Sequence, residues 1–330
     1  MRILFSTVNP EHYMKPPVLS DQQVMCGPDW SDKKDADGRV LSLNTPSGAY
    51  DLYAISEKLP DEQKPDVVVC LVDASWRNLP RNLSRFQCPK ILLLADTHHM
   101  QSPITNMLKY IHLEKFDRII DLYCRHHMRI LSSYGVENLF WFPGMTFPHG
   151  DEIIHSSRSE LGRTKQIAFV GQVGRFHPRR KAVIKALQSN SLPLNCQAVP
   201  QNLALKFYGS SLLGFNSSLN GDLNLRVFEI ISSGAALLTD KLSAESGLES
   251  LLEDGRDILV YDSPEEMIEK AKYAVKHPVE TEAIGASGAK WFDTHFNLKR
   301  RQEIFKDIVF NGKNVSEFEY DSEDSSSFYF

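Results

Sequence analysis

NSSLNGDLNLRVFEIISSGAALLTD, residues 216–240, takes a polar, Gly-containing loop into a short helix with Arg226 and Glu229, then into the small turn SSGA and the apolar strand ALLT. Loop, helix and buried strand in that order are part of a parallel α/β unit. The order also sets backbone N–H groups, a guanidinium and a carboxylate around one helix N-terminus. Such a group suits a nucleoside diphosphate: the helix end and Arg226 attract phosphates, and the carboxylate accepts hydrogen bonds from ribose hydroxyls. The plainer alternative for Arg226 and Glu229 is an i,i+3 ion pair on a helix surface. The Gly loop before this helix and the buried strand after it favour the ligand.

Working outward, QIAFVG (166–171) reads as a strand, 178–188 as a helix, 194–199 as a strand, 201–209 as a helix and 211–216 as a strand. Downstream, DILVYDSPEEMIEKAKYAVKHP (257–278) reads as a strand, a loop with Ser263 as N-cap over Glu266, and an amphipathic helix. The last helix runs to about residue 310. The first half repeats the alternation. RILFSTV (2–8), DVVVCLV (66–72), KILLLAD (90–96), RIIDLY (118–123) and NLFWFP (138–143) are continuous apolar runs of the kind buried on both faces of a parallel sheet. Helical patterns over 50–59, 102–115 and 124–134 separate them. The polar, Gly- and Pro-marked stretch 144–163 precedes a restart of the pattern, which marks a boundary. The expected fold class is therefore α/β: two Rossmann-like parallel-sheet domains facing a cleft, residues 1–160 and 161–310. The last helix is a candidate to pack back on the first domain, and 311–330 forms an acidic aromatic tail.

Composition excludes several classes. The chain of 330 residues is 42% hydrophobic and 24% charged with a net charge of -5, an ordinary globular profile with no electrostatic footprint for nucleic acid. No apolar run is long enough for a membrane span, and MRILFSTV passes directly into polar residues, so the expected location is cytoplasmic. Five cysteines, Cys26, Cys70, Cys88, Cys124 and Cys196, form no CxxC pair and read as reduced. The tail is acidic and Ser-rich, yet Phe318, Tyr320, Phe328, Tyr329 and Phe330 make it a candidate docking or oligomerisation segment.

The segments FVGQVGRFHPRR (169–180), LNLRVFEIISSGAALLTD (223–240), GLESLLEDGRDILVYDSPEEM (247–267) and SSYGVENLFWFPG (132–144) resemble the group 1 GT-B glycosyltransferases, specifically their CgeB/YkvP-like branch. The resemblance spans most of residues 90–300. It implies transfer of a sugar from a nucleotide-sugar donor held by the second domain to an acceptor on the first, with retention of configuration and no cofactor. UDP is the preferred base from family frequency. By motif, Glu229 looks like the ribose-binding glutamate and Asn224–Leu225–Arg226 like the diphosphate cradle, with Asn216 and Asp222 beside them. The family's Val-Gly-Arg aligns with Val173–Gly174–Arg175, or else Gly171 takes the glycine position and Gln172 stands where arginine is expected. Of Arg179, Arg180 and Lys181, at least two read as a solvated first helical turn.

On the first domain, the loop with Asp96, Thr97, His98 and His99 follows a strand, where α/β folds place ligands. Asp96 and His98 join Arg226 as catalytic candidates. Asn9, His12, Tyr13 and His99 are acceptor-side candidates. His126–His127 is a second histidine pair, without evident meaning in the sequence. The acceptor itself is not identified: glycan, lipid-linked sugar, protein and small molecule stay open.

Asp35-Ala36-Asp37 is a DxD, the metal signature of the other glycosyltransferase architecture. It lies in the polar run SDKKDADGR and reads as a turn. No metal site is expected. One departure bears on chemistry: many family members carry two glutamates seven residues apart, and the first position here is Gly221, followed by Asp222. A non-catalytic scaffold that binds a nucleotide or glycan is therefore the competing reading, and a nucleotide-sugar epimerase a third.

Overall fold

The computed structural model describes residues 1–10, 17–95, 97, 101–144, 151–158, 162–174 and 177–313. The first half contributes β1 (Arg2–Ser6), β2 (Gln22–Gly27), β3 (Lys33–Lys34), β4 (Val40–Asn44), β5 (Gly48–Asp51), α1 (Leu52–Ser56), β6 (Val67–Val72), β7 (Asn78–Arg81), β8 (Lys90–Leu94), α2 (Pro103–Glu114), β9 (Arg118–Asp121), α3 (Met128–Ser133) and β10 (Leu139–Trp141). After α4 (Asp151–Ser157) come β11 (Thr164–Val170), α5 (Pro178–Ser189), β12 (Leu194–Gln197), α6 (Gln201–Gly209), β13 (Ser211–Phe215), α7 (Leu225–Ser232), β14 (Ala236–Asp240), α8 (Leu248–Leu251), β15 (Leu259–Tyr261), α9 (Pro264–Lys276), α10 (Pro278–His295) and α11 (Leu298–Asn311).

An eight-stranded sheet runs β10-β9-β8-β6-β1-β2-β4-β3, and a five-stranded sheet runs β12-β11-β13-β14-β15. All neighbours in them are parallel except β3 with β4. The apolar runs make these central strands because they are covered on both faces: Val67, Val68, Val69 and Cys70 have no exposed surface, nor do Leu237 and Leu238. Strand order reverses between β1 and β6 in the first sheet and between β11 and β13 in the second. A crevice opens at the carboxyl ends of the strands at such a reversal, and it is there that open α/β sheets bind ligands.

Helix punctuation follows local chemistry. Pro178, Pro264 and Pro278 open helices at positions that need no N–H. Ser263 caps α9 by accepting the Glu266 N–H at 3.1 Å, as its spacing predicts. The chain crosses between sheets twice. Ile304, Phe305, Ile308 and Val309 of α11 pack with Ile3, Phe5, Val67 and Ile91, so the last helix returns to the first sheet.

In the second half the structure adds α8 and α10 to the elements read from the sequence, and the other differences lie in the first half. β2 and β4 extend the large sheet, and β5 pairs with β7 as a separate two-stranded parallel ribbon. The pattern over 124–134 divides into a 3₁₀ turn, Arg125–His127, and the short α3. The DxD is a turn: Asp35 Oδ1 accepts the N–H groups of Asp37 (3.0 Å) and Arg39 (2.9 Å). Among the described residues no helix is long and apolar enough to cross a membrane.

Candidate functional site

The crevice of the second sheet is built on Arg226. Asn224 caps α7 by accepting the Arg226 N–H at 3.1 Å, which starts the helix one residue ahead of the guanidinium. Leu225 is the first helical residue. The side chain then turns back over the strand ends: Nε donates to the Val170 carbonyl (2.8 Å), Nη1 donates to Asn216 Oδ1 (3.0 Å), and the guanidinium lies 4.8 Å from the Phe169 ring centroid. Tyr208 also hydrogen-bonds Arg226, and its hydroxyl accepts the Val170 N–H at 3.0 Å. Asn216 is fully buried and is fixed by its own donation to Thr239 Oγ1 (3.0 Å). Gly171 makes room: at φ +146° its missing Cβ would stand 2.6 Å from Arg226 Nη2. The surface ion pair with Glu229 is thus not what holds this arginine.

A second cation converges on the same place. Within the basic run, Arg179 is more than half exposed and Lys181 is exposed, whereas Arg180 is buried. Arg180 donates to the carbonyls of Gln172 (3.2 Å) and Ser217 (3.4 Å), and its Nε is buried without a partner among the described residues. Burial and then the neighbouring Arg226 push its pKa down to about 10, against the pull of Asp222 and Asp240. Two guanidiniums set against the same Phe169 ring, one of them with an unmet buried donor, make this a candidate anion site. Sequence reasoning missed Arg180 because a run of three basic residues does not reveal which one turns inward.

Acidic neighbours are committed to shaping the loop. Asp240 accepts from the Ser218 N–H (2.8 Å) and hydroxyl (2.5 Å), and Arg179 reaches it at 3.3 Å. Asp222 is buried, with Oδ1 accepting the N–H groups of Leu219 (2.9 Å) and Asn220 (3.2 Å). Gly221 holds φ +82° with open space where a Cβ would stand. Glu229 is half-buried on α7, and Gln201 at the start of α6 donates to its Oε1 at 2.9 Å. Burial raises the Glu229 pKa, against the Gln201 hydrogen bond and Arg226. Gly174 is exposed, its carbonyl accepting the His177 N–H at 3.1 Å.

The first half meets this loop directly, since Leu223 N–H donates to the Tyr123 carbonyl at 2.9 Å. That carbonyl is placed by Asp121 at the end of β9, whose Oδ1 accepts the N–H groups of Tyr123 (3.1 Å) and Cys124 (2.7 Å). Asp121 is 1% exposed, and burial raises its pKa to about 7 despite those two bonds. The sign follows. The folded protein keeps a proton that the unfolded chain releases above about pH 4, so this group's stability contribution falls as pH rises toward 7. Asp121→Asn keeps the accepting oxygen and carries no charge. It is expected to raise urea stability at about pH 8 by about 1–3 kcal/mol and to leave it nearly unchanged at about pH 4. Equal effects at both pH values would refute the protonation argument.

Asn9 follows β1, with its N–H on the Pro28 carbonyl (2.9 Å) and its side chain on the Asp29 carbonyl (3.1 Å). Thr97 is buried and bonds His127 Nδ1 at 2.8 Å. The candidates His12, Tyr13, Asp96, His98, His99 and Arg175, and the tail from 314 to 330, lie outside the described residues. Among the described residues no group of three His, Cys, Asp or Glu side chains is arranged to hold a metal ion.

Residues 176–307 match the model of a glycosyl transferase-like family. No curated protein matches the sequence. Among solved structures, HepE of Anabaena, in complex with UDP and glucose, superposes with a TM-score of 0.63 at 11% identity, covering 94% of this chain and 100% of that one. Sucrose-phosphate synthase of Thermosynechococcus elongatus gives 0.62 at 8% identity, covering 94% and 99%. A TarM mutant of S. aureus, solved with fondaparinux, alpha-GlcNAc-glycerol and UDP, gives 0.54 at 10% identity over 74% of this chain, which spans 56% of TarM. At these identities the likeness establishes the fold, two Rossmann-like units in the GT-B arrangement.

Proposed function

We propose that this protein is a metal-independent glycosyltransferase that moves a sugar from a nucleoside-diphosphate sugar to an acceptor held by the first unit. The convergence of Arg226 and Arg180 at the strand-order reversal of the second sheet carries this reading. The two guanidiniums and the start of α7 bind the diphosphate and stabilise the charge that develops as it departs. Glu229, steadied by Gln201, accepts the ribose hydroxyls. UDP is the preferred base, in keeping with the UDP held by HepE and TarM. We assign the donor to residues 161–310, the acceptor to 1–160, retention to the stereochemistry, the CgeB/YkvP-like branch to the lineage and the cytoplasm to the location.

Asp222 and Gly221 favour a second reading, nucleotide binding without transfer. A loop whose acidic residue is bonded to its own N–H groups, with glycine at the neighbouring position, offers the donor sugar less than a glutamate would. The acceptor would then be a bound glycan or partner in an assembly. Incubation with UDP- and GDP-sugars separates the readings: nucleoside diphosphate release supports transfer, a 2-epimeric sugar supports an epimerase, and binding without either supports the scaffold.

A thermal-shift panel of UDP, GDP, ADP and CMP tests the donor class. Glu229→Ala is expected to cut the stabilisation that UDP confers, with binding weaker by roughly tenfold or more for a lost charged hydrogen bond. Survival of the full shift would place the ribose elsewhere.

A further inference from the structure

His126 lies in the seam between the two halves, on the Arg125–His127 turn that follows β9. The seam is fixed on either side of it by the Tyr123–Leu223 hydrogen bond and by the Arg129–Glu245 ion pair at 2.5 Å. Its ring meets His127 edge-on, centroids 4.2 Å apart, and His127 is anchored to the buried Thr97. The imidazole therefore has a rigid backing from the first sheet. Nδ1 of His126 is closed off from solvent and has no hydrogen-bond partner among the described residues. A buried polar nitrogen in that condition is costly, and it calls for a partner that the described residues do not supply.

The charge around the ring is mixed. Asp222 from the loop before α7 and Glu245 from the 3₁₀ turn Ala244–Ser246 face it, and Arg125, His127 and Arg129 share its own stretch of chain. Leu223, bonded to the Tyr123 carbonyl three residues before His126, follows Asp222 directly, so the imidazole stands against the loop that leads into α7 and Arg226; Asp222 pulls on both His126 and Arg180. Burial lowers the His126 pKa, and the two acids oppose that shift. The ring is thus poised to take up a proton when negative charge arrives.

We propose that His126 is a ligand-contacting residue supplied by the first sheet, donating a hydrogen bond to an anionic oxygen of the nucleoside diphosphate bound at Arg180 and Arg226. The inference rests on the donor-site reading above and adds a residue from the opposite half of the molecule. Its consequence is proton uptake on binding: affinity is higher where the imidazole is protonated and declines as pH rises through neutrality.

Calorimetric titration of the full chain with UDP, at about pH 6 and pH 8 and in two buffers of different ionisation enthalpy, is the test. Protons taken up by UDP itself are common to wild type and variant and cancel in their difference. His126→Gln is expected to bind about tenfold more weakly at about pH 6, to bind nearly as wild type at about pH 8, and to lose the extra proton uptake. An equal loss at both pH values would mark a purely structural role, and no loss at either would overturn the contact. Arg226→Ala separates the two readings. Binding that Arg226→Ala abolishes but His126→Gln leaves untouched sinks this inference alone, whereas wild type that binds no nucleoside diphosphate sinks both.

Discussion

Arg226→Ala is expected to lower affinity for UDP by about a thousandfold, the largest single-residue loss in the cleft, because one side chain carries charge, orientation and loop geometry together. Three structural bonds hold its guanidinium: to the Val170 carbonyl, to Asn216 and to Tyr208. These bonds order the strand ends even before a ligand arrives, so truncation also releases Asn216, whose Oδ1 is fully buried with the rest of its side chain. Arg226→Lys distinguishes charge from shape. An ammonium cannot bond the Val170 carbonyl and Asn216 in a fork while lying against Phe169, so lysine is expected to recover little of the loss. Calorimetric titration of the three proteins checks this. Lysine binding within about threefold of wild type would mean that charge alone suffices and that the fork is incidental. Gly171→Ala approaches the same geometry from the other side, since a Cβ there would displace the guanidinium from its seat.

The residues around Arg226 show why part of this site was legible in the sequence. Asn224 before an apolar run is a helix-start signal, and a cap places the next residues at a helix end wherever the rest of the chain goes. Arg180 and His126 had no such local marker. Arg180 stands in RRK and His126 in RHH, and in each case tertiary packing decides which member turns inward. Asp121 was hidden in RIIDLY as one polar residue in an apolar strand. Its role depends on the turn that follows, where Tyr123 and Cys124 lend it their N–H groups.

The fold divides in the same way. Strands buried on both faces, such as Val67–Val72 and Ala236–Asp240, are continuous apolar runs and read directly. β4 alternates VLSLN with a half-exposed face near the sheet edge, and β7 contains Pro80, which a central strand would not tolerate. α10 carries Gly285 and Gly288, and each glycine weakens a helical pattern by about 1 kcal/mol. Their purpose is contact: a Cβ on Gly285 would stand 2.4 Å from the Gly234 carbonyl oxygen, and one on Gly288 would stand 2.7 Å from that of Asp257. The glycines let α10 lie against the turn that ends α7 and so fix that helix from behind. That purpose is visible only once both elements are in place.

Arg301→Ala is expected to destabilise the fold by about 3–5 kcal/mol, the largest stability loss we expect from a single change. Arg301 on α11 has no exposed surface, lies 3.5 Å from the centroid of Phe142 and 4.4 Å from that of Phe296, and donates to the Pro143 carbonyl at 2.6 Å. Two ring faces and a carbonyl stabilise the charge where it is withdrawn from water. The position matters because the partners come from both crossings of the chain: Phe142 and Pro143 end the first sheet, and Phe296 links α10 to α11. Phe296 in turn stacks on Phe228 of α7 at 4.7 Å, and Phe228 fills the space a side chain would take at Gly144. A column of rings therefore joins the first sheet to α7 through one arginine. Truncation leaves a cavity at that junction. Arg301→Met refills most of the volume without the charge, so it is expected to recover part of the loss, while Arg301→Lys, unable to spread over both rings, recovers less. Urea unfolding of the four proteins decides it, with UDP titration as a second readout. If Arg301→Ala unfolds with the wild-type midpoint, the column is no structural link. If Arg301→Met equals wild type in both stability and UDP affinity, packing alone joins the halves and the cation contributes nothing.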